Sequence, residues 1–181
     1  MDANDFKKNM LPLSGKLYRF ACLLLRDKNE AEDTVQEVYL KLWKIRDSLE
    51  SLNSIEAFAM KMTRNWCLDR IKARKPLYIE GYQKLFDQRT EDNDPHRIME
   101  INDKLGLLHQ ILDRLPEQQR HIFQLREFEG LEFEEISEVM DMQVNAIRVN
   151  LSRARNHIKE VMQKYESDGH KSNPTAIGKI L

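Results

Sequence analysis

A chain of 181 residues can hold one ordinary domain or two small ones. With 41% hydrophobic and 33% charged residues it has material for modest helical cores, and it is too balanced in charge for a wholly disordered chain. Thirty acidic residues against 29 basic ones leave a net charge of −1, so any attraction for nucleic acid has to be local. No apolar run approaches the roughly 20 residues that span a bilayer. The N-terminal stretch MDANDFKKNM also lacks an apolar signal core, which predicts a cytoplasmic protein without membrane insertion. Cys22 and Cys67 show no CxxC or Cys/His spacing and read as reduced core residues.

Apolar residues recur with helical period almost throughout, and no β-branched alternation is long enough for a strand, so the expected class is all-α. Leu17, Phe20, Ala21, Leu24 and Leu25 make a first stripe. After a polar break at Asp27 to Asn29, the residues Ala31, Val35, Val38, Tyr39, Leu42 and Trp43 make a second. A third helix starts at Ser54, a suitable N-cap, and runs until Pro76 stops it. From Asp87 to Pro95 the chain reads DQRTEDNDP, with four acids and one arginine, which marks a linker. Periodicity returns with Leu105, Leu108, Ile111, Leu112 and Leu115, is cut at Pro116, resumes from Phe123 to Phe128, and is cut again at Gly130. Helices at 132–140 and 143–165 follow, and the tail beyond Ser167 carries the Gly, Asn and Pro of a flexible end. The expected organisation is therefore two small helical domains, 1–76 and 102–166, joined by an acidic linker at 77–101 and followed by a flexible tail at 167–181.

The last two helices are separated by only Asp141 and Met142, a connection short enough for a helix-turn-helix of winged-helix-like or homeodomain-like type. Their charge is partitioned: Arg126 to Met142 holds seven acids and one base, whereas Gln143 to Tyr165 holds five bases and one acid. The final helix is the candidate for the DNA groove. Ile147, Leu151, Ala154, Ile158 and Met162 should form its buried stripe. Asn145, Arg148, Val149, Ser152, Asn156 and Lys159 fall on the opposite side, with Arg153 at its edge. Arg can donate to guanine, Asn can pair with adenine, Val can touch a thymine methyl and Lys can hold a phosphate. A solvated amphipathic helix would also carry Arg and Lys, but it would not need the short turn or the charge partition.

Two further surfaces stand out. Lys61 to Lys75 holds six bases and one acid, and Phe58 and Trp66 lie on the same helix. Basic tracks beside aromatic rings suit single-stranded DNA, although such rings are more often core residues. On the second helix Asp33, Gln36, Glu37 and Leu40 recur at i, i+3, i+4 and i+7, and an exposed Leu among acidic and amide groups suggests a protein-docking face rather than a merely hydrated one. There is no phosphate-binding loop, no HExxH and no glycine-rich dinucleotide turn, and the five histidines are scattered. No enzymatic site, metal site or cofactor is expected.

The segment NEAEDTVQEVYLKLW, from Asn29 to Trp43, resembles the polymerase-binding helix of bacterial RNA polymerase sigma factors. AFAMKMTRNWCLDRIKARK, from Ala57, is similar to that family's promoter-melting helix. The stretch from Leu115 to Arg155 resembles its minus-35-reading domain. The three segments occur in the family's order without an intermediate domain, which is the layout of the extracytoplasmic-function (ECF) branch of the sigma-70 family. The resemblance implies that Asp33, Gln36, Glu37 and Leu40 meet the clamp helices of the polymerase largest subunit, with a further contact to the polymerase flap. It implies that Lys61, Arg64, Asn65, Arg70, Lys72 and Arg74 serve minus-10 DNA, where the loop from Leu49 to Ser54 with Asn65 captures an unpaired base. It implies that Asn145, Arg148, Val149, Asn150, Ser152, Arg153 and Arg155 serve minus-35 DNA, and that a cognate anti-sigma protein holds the chain inactive. The helical wheel places Asn150 less centrally than the others.

Two positions depart from the family pattern: Met142 stands at the cap of the recognition helix, and Phe58 stands where Trp is usual. The charge of Asp87, Glu91, Asp92 and Asp94 also suggests that the linker covers the basic faces in the free chain. The competing readings are a stand-alone helix-turn-helix regulator of duplex DNA, which would not need the Asp33/Gln36/Glu37/Leu40 face, and a helical adaptor, which would leave Arg148 and Arg153 without purpose.

Overall fold

The computed structural model describes residues 2–73 and 106–167. The expected acidic linker, Arg74 and the tail beyond Ser167 lie outside these residues. Every element among the described residues is helical.

An eight-residue helix that the apolar stripes did not predict, α1 (Ala3–Met10), opens the chain. Asp2 caps it by accepting from the Asp5 N–H at 2.8 Å. After a 3-10 turn, Leu11–Leu13, comes α2 (Ser14–Leu25). All five residues of its predicted stripe are buried, and so are Cys22 and Leu23. Buried on nearly every side, α2 packs against both α3 (Lys28–Lys44) and α4 (Ile55–Ala73). The break before α3 is shorter than the polar run Asp27 to Asn29 implied. Arg26 takes the left-handed conformation at φ 55° and its N–H returns to the Cys22 carbonyl. Asp27 then caps α3 by accepting from the Glu30 N–H at 2.9 Å. Two residues thus end one helix and start the next.

On α3 the periodicity holds for Ala31, Val35, Val38 and Leu42, all buried. It fails for two aromatics. Tyr39 is half-buried and its hydroxyl donates to the Met10 carbonyl, and Trp43 is 38% exposed. The Trp43 ring meets the edge of Phe6 from α1 at 5.1 Å, and the Arg46 guanidinium lies 4.5 Å over it. A 3-10 turn, Arg46–Ser51, buries Leu49 completely. Ser54 caps α4 as expected, accepting from the Ala57 N–H at 3.1 Å. Small residues, Ala57, Ala59, Thr63 and Cys67, make up most of the buried face of α4. Cys22 and Cys67 are both free and buried, and burial pushes the Cys22 thiol above its usual range.

The second half of the chain begins, among the described residues, with α5 at 106–114. Pro116 starts α6 (Glu117–Phe123), its carbonyl taking the Arg120 N–H. The segment Gln124–Phe128, where sequence periodicity resumes, is a π-helical turn rather than α. Gly130, at φ 77°, ends it. Next comes α7 (Phe133–Met140), with Glu135 accepting from the Glu132 N–H at 2.8 Å in the manner of a capping box. Asp141 closes α7 in the left-handed conformation, and α8 (Val144–Ser167) follows. The turn is three residues, one longer than expected. The first α8 hydrogen bond runs from Ile147 N–H to the Gln143 carbonyl, so Gln143 and not Met142 stands at the cap position.

Two compact units emerge, and they cut across the sequence order. Among the described residues, one comprises 2–73 with Gln124–Ile147, and the other 106–123 with 148–167. Within the first, α7 packs against α4. Within the second, Leu107 and Ile111 of α5 form a core with Val161 and Tyr165 of α8, flanked by Ile158 and Met162. The predicted α8 stripe is right at Ile147, Leu151 and Ala154. It then passes to Val161 and Tyr165, because alternating steps of three and four residues keep a straight 3.6-residue helix on one line.

If α2 is the axis of the first unit, Phe20→Ala should cost roughly 3–5 kcal/mol. Asp27→Ala, which removes only a cap, should cost about 1 kcal/mol. Urea unfolding of both variants beside the parent chain checks the ratio.

Candidate functional site

Three surfaces carry the residues singled out by the sequence. On α3, Asp33, Gln36, Glu37 and Leu40 are all exposed, on the side away from Ala31, Val35, Val38 and Leu42. Leu40 is 56% exposed, among the few large apolar side chains left open to water in the described residues. Trp43, three residues on, prolongs this face with a ring already held by Phe6 and Arg46. The sequence reading missed it because its position satisfies the buried period, and only the packing of α1 beside it shows otherwise.

On α4 the six minus-10 candidates divide. A cleft of about 580 Å³ lies between the C-terminal end of α3 and the outer side of α4, lined among others by Lys41, Ile45, Phe58, Asn65, Trp66 and Arg70. Lys61 also lines it, so Lys61, Asn65 and Arg70 are brought together. Arg64 and Lys72 are not part of this lining. Arg64 is half-buried, with its Nε buried and unpaired among the described residues, and Lys72 is exposed, 4.0 Å from Asp69. Arg74 lies outside the described residues. The loop from Leu49 to Ser54 does not line the cleft either: Leu49 fills the core, and Ser54 caps α4.

Lys41, Ile45 and Asp69 belong to the cleft without having been anticipated. Lys41 and Ile45 come from a different helix, so no local spacing could reveal them. Lys41, Lys61 and Arg70 outnumber Asp69, and Phe58 and Trp66 are half-buried, each with a surface toward the opening. A cationic cleft walled by aromatic rings can hold a phosphate and stack an unpaired base.

On α8, Asn145, Arg148, Val149, Ser152, Arg153 and Arg155 are exposed and Asn150 is half-buried, in line with its less central place on the wheel. Val149 is 49% exposed. An apolar β-branched side chain beside arginines and an asparagine has the chemistry to meet a thymine methyl. The turn leading to this helix is held by the Ser137 hydroxyl donating to the Met142 carbonyl at 2.6 Å. Among the described residues no cluster of His, Cys, Asp and Glu could hold a metal, and no helix is long and apolar enough to cross a membrane.

Comparison with known proteins places these surfaces in a family context. The profile of sigma-70 region 2 matches residues 12–76, and that of sigma-70 region 4 matches residues 105–158. The α3 and α4 candidates fall in the first match and the α8 candidates in the second. The chain is 26% identical over 155 residues to the ECF RNA polymerase sigma factor SigE of Mycolicibacterium smegmatis, covering 84% of this chain and 60% of that one. It is 26% identical over 174 residues to the RNA polymerase sigma-H factor of Pseudomonas aeruginosa, covering 90% and 88%. The fold is similar to that of RpoE from Bartonella quintana, crystallised with the anti-sigma factor NepR, with a TM-score of 0.71 and 24% identity over 89% of this chain and 98% of that one. It is also similar to CnrH, crystallised with the cytosolic domain of CnrY, with a TM-score of 0.60 and 16% identity over 90% of each chain.

The cleft can be tested directly. A single-stranded oligonucleotide is expected to quench the Trp66 fluorescence of a Trp43→Phe chain. Trp66→Ala should lose about 1–3 kcal/mol of single-strand affinity, the usual worth of one base stacked on an aromatic ring.

Proposed function

Because the chain belongs to the sigma-70 family, in its ECF branch, we propose that it is a specificity subunit that binds core RNA polymerase and directs promoter-specific initiation, reading minus-35 duplex DNA and opening the minus-10 element. The observation that carries this reading is the exposed α3 face, where Leu40 stands 56% open among Asp33, Gln36 and Glu37. A stand-alone regulator of duplex DNA has no use for such a face. An apolar anchor ringed by acids and an amide suits a basic helical partner, such as the clamp helices of the polymerase largest subunit.

The proposed division of labour follows from chemistry. In the minus-10 element a base leaves the stack and enters the α4 cleft. There Phe58 or Trp66 stacks on it, Asn65 offers both a donor and an acceptor to its edge, and Lys61 and Arg70 hold the neighbouring phosphates. Unstacking costs a few kcal/mol and the cleft offsets it, so melting can be nucleated without nucleotide hydrolysis. Arg64, Lys72 and Arg74 add positive charge near the strand. In the minus-35 element α8 enters the major groove, with Arg148 directed to guanine, Asn145 to adenine, and Arg153 and Arg155 to phosphates at the groove edge. Ser152 and Asn150 complete the contact. The protein makes and breaks no covalent bond in this scheme, requires no cofactor, and works in the cytoplasm. An anti-sigma protein is a proposed partner, since the solved structure of RpoE was obtained in complex with the anti-sigma factor NepR.

Two experiments test the reading. Purified chain added to sigma-free core polymerase should form a stable complex that initiates from discrete genomic sites. Gln36→Ala/Glu37→Ala should weaken that complex by roughly tenfold or more, as truncation of central interface residues does. Binding of duplex DNA without any association with core polymerase would favour the stand-alone regulator. For α8, Arg148→Ala should cost about 1–3 kcal/mol of minus-35 affinity and relax one position. Replacing single thymines by uracil, which removes only the methyl group, should weaken the parent chain at one position and leave Val149→Ala indifferent there.

A further inference from the structure

Asp69 lines the α4 cleft, and neither the stacking of a base nor the holding of phosphates gives it a task. A carboxylate is out of place beside a nucleic-acid backbone, because it repels phosphates within the Debye length of about 8 Å. Its ion pair does not account for it either. Lys72 lies 4.0 Å away, both side chains are more than three-quarters exposed, and exposed pairs of this kind contribute little.

The place of Asp69 on the helix is more telling. Phe58, Met62 and Trp66 follow one another in four-residue steps and form an apolar strip along the cleft; Lys61, Asn65 and Asp69 form a polar strip in the same steps beside it. Neighbours across the two strips, such as Trp66 and Asn65, are consecutive residues and stand about 100° apart around the axis. A base laid on the apolar strip therefore turns its edge toward the polar one. Asn65 and Asp69 are one turn apart, with Cβ atoms about 5–6 Å from each other, so both can meet a single edge. They differ in what they offer. The Asn65 amide can donate, whereas a carboxylate only accepts, at two oxygens. Along the helix the pair presents a donor followed by two acceptors.

A base taken out of the stack has its Watson–Crick edge free to be read. Guanine alone offers the complement, a carbonyl acceptor next to two N–H donors. Thymine has one donor between two carbonyls, and cytosine and adenine each set a ring-nitrogen acceptor beside the amino group. Each of those three would turn a lone pair toward Asp69. We infer that Asp69 is a specificity-determining residue of the cleft, which together with Asn65 selects a guanine among unpaired bases. The inference rests on the single-strand reading of the cleft and deepens it. Lys41, Lys61 and Arg70 keep their charge for the flanking phosphates. The repulsion that Asp69 adds falls on every sequence alike, and only the base that pairs with it recovers the loss. Asp69 thus lowers general affinity and raises discrimination.

The test uses the full chain carrying Trp43→Phe, with Trp66 fluorescence reporting the binding of thymine oligomers that hold one central guanine, hypoxanthine or thymine. Hypoxanthine keeps the N1–H and the carbonyl of guanine and lacks only the amino group. The guanine oligomer is expected to bind about tenfold more tightly than the hypoxanthine one, the worth of about one hydrogen bond to a charged group, and the thymine oligomer no more tightly than hypoxanthine. Asp69→Ala, a change that favours the helix, should bring the guanine-to-thymine ratio close to one while the thymine oligomer gains affinity. A surface acid without contact to the base would raise affinity for all three oligomers equally, and unchanged ratios in Asp69→Ala overturn the assignment. Equal binding of the three by the Trp43→Phe chain also overturns it, with the cleft still a single-strand site. If no oligomer alters Trp66 fluorescence, the single-strand reading itself fails and the assignment of Asp69 falls with it.

Discussion

A carboxylate without access to water must be neutralised by what surrounds it, and Glu129 is such a group. Left unpaired it would oppose folding of the whole segment around it. The Arg19 fork meets both oxygens, Gln124 adds a third donor, and Lys16 takes the adjacent carbonyl. The π-helical turn at Gln124–Phe128 is part of the same solution. By closing a bond from Glu129 N–H to the Gln124 carbonyl, it brings residues five apart over one another, so the Gln124 amide reaches the Glu129 carboxylate. This cluster links the two distant stretches of chain that make up the first compact unit.

Around that constraint the helices divide their labour. Leu17, Phe20 and Leu25 give α2 an apolar contact on nearly all sides, so it serves as the fixed axis to which α3 and α4 are referred. With α2 taking the burial, the outer sides of α3 and α4 are free to be polar, cationic or, at Leu40, unexpectedly apolar. The α4 interior is built from small residues, which brings its backbone close to its neighbours and leaves the larger side chains, Phe58, Trp66 and Arg70, at the cleft. In α8 the division is by length. The first turns present Asn145, Arg148 and Val149, and the later turns bury Val161 and Tyr165 against α5. One helix can then anchor a domain at one end and offer a reading surface at the other.

The structure also alters how several sequence signals are understood. Leu49 lies in what resembles a base-capturing loop, yet it is a core residue, because the 3-10 turn folds its side chain inward. Trp43 fits a buried period and is nonetheless a surface residue, because Phe6 of α1, a helix whose eight residues are too few to announce themselves by periodicity, leaves its ring 38% exposed. Asp141 ends α7 in a left-handed conformation and does not cap α8. That arrangement lengthens the turn to three residues and makes Gln143 the residue at which α8 begins. The basic residues of α4 look alike in sequence, but Lys61 and Arg70 reach the cleft whereas Lys72 points elsewhere.

Local chemistry, readable without a structure, determined the helical class, the cap at Ser54, the stops at Pro116 and Gly130, the buried stripes of α2 and most of α3, and the outward faces carrying Asp33, Gln36, Glu37, Leu40 and Arg148. Each depends on residues within one or two turns of one another, and a 3.6-residue repeat exposes them. Tertiary structure alone decided that Lys41 and Ile45 complete the α4 cleft, that Tyr39 is tied to Met10, and that the acidic run after Arg126 docks on Lys16, Arg19 and Ser54. These depend on groups far apart in the chain, and nothing in the spacing of Glu129 among six other acids marks it as the one that loses its water. Burial selects it, and burial is a property of the assembled helices.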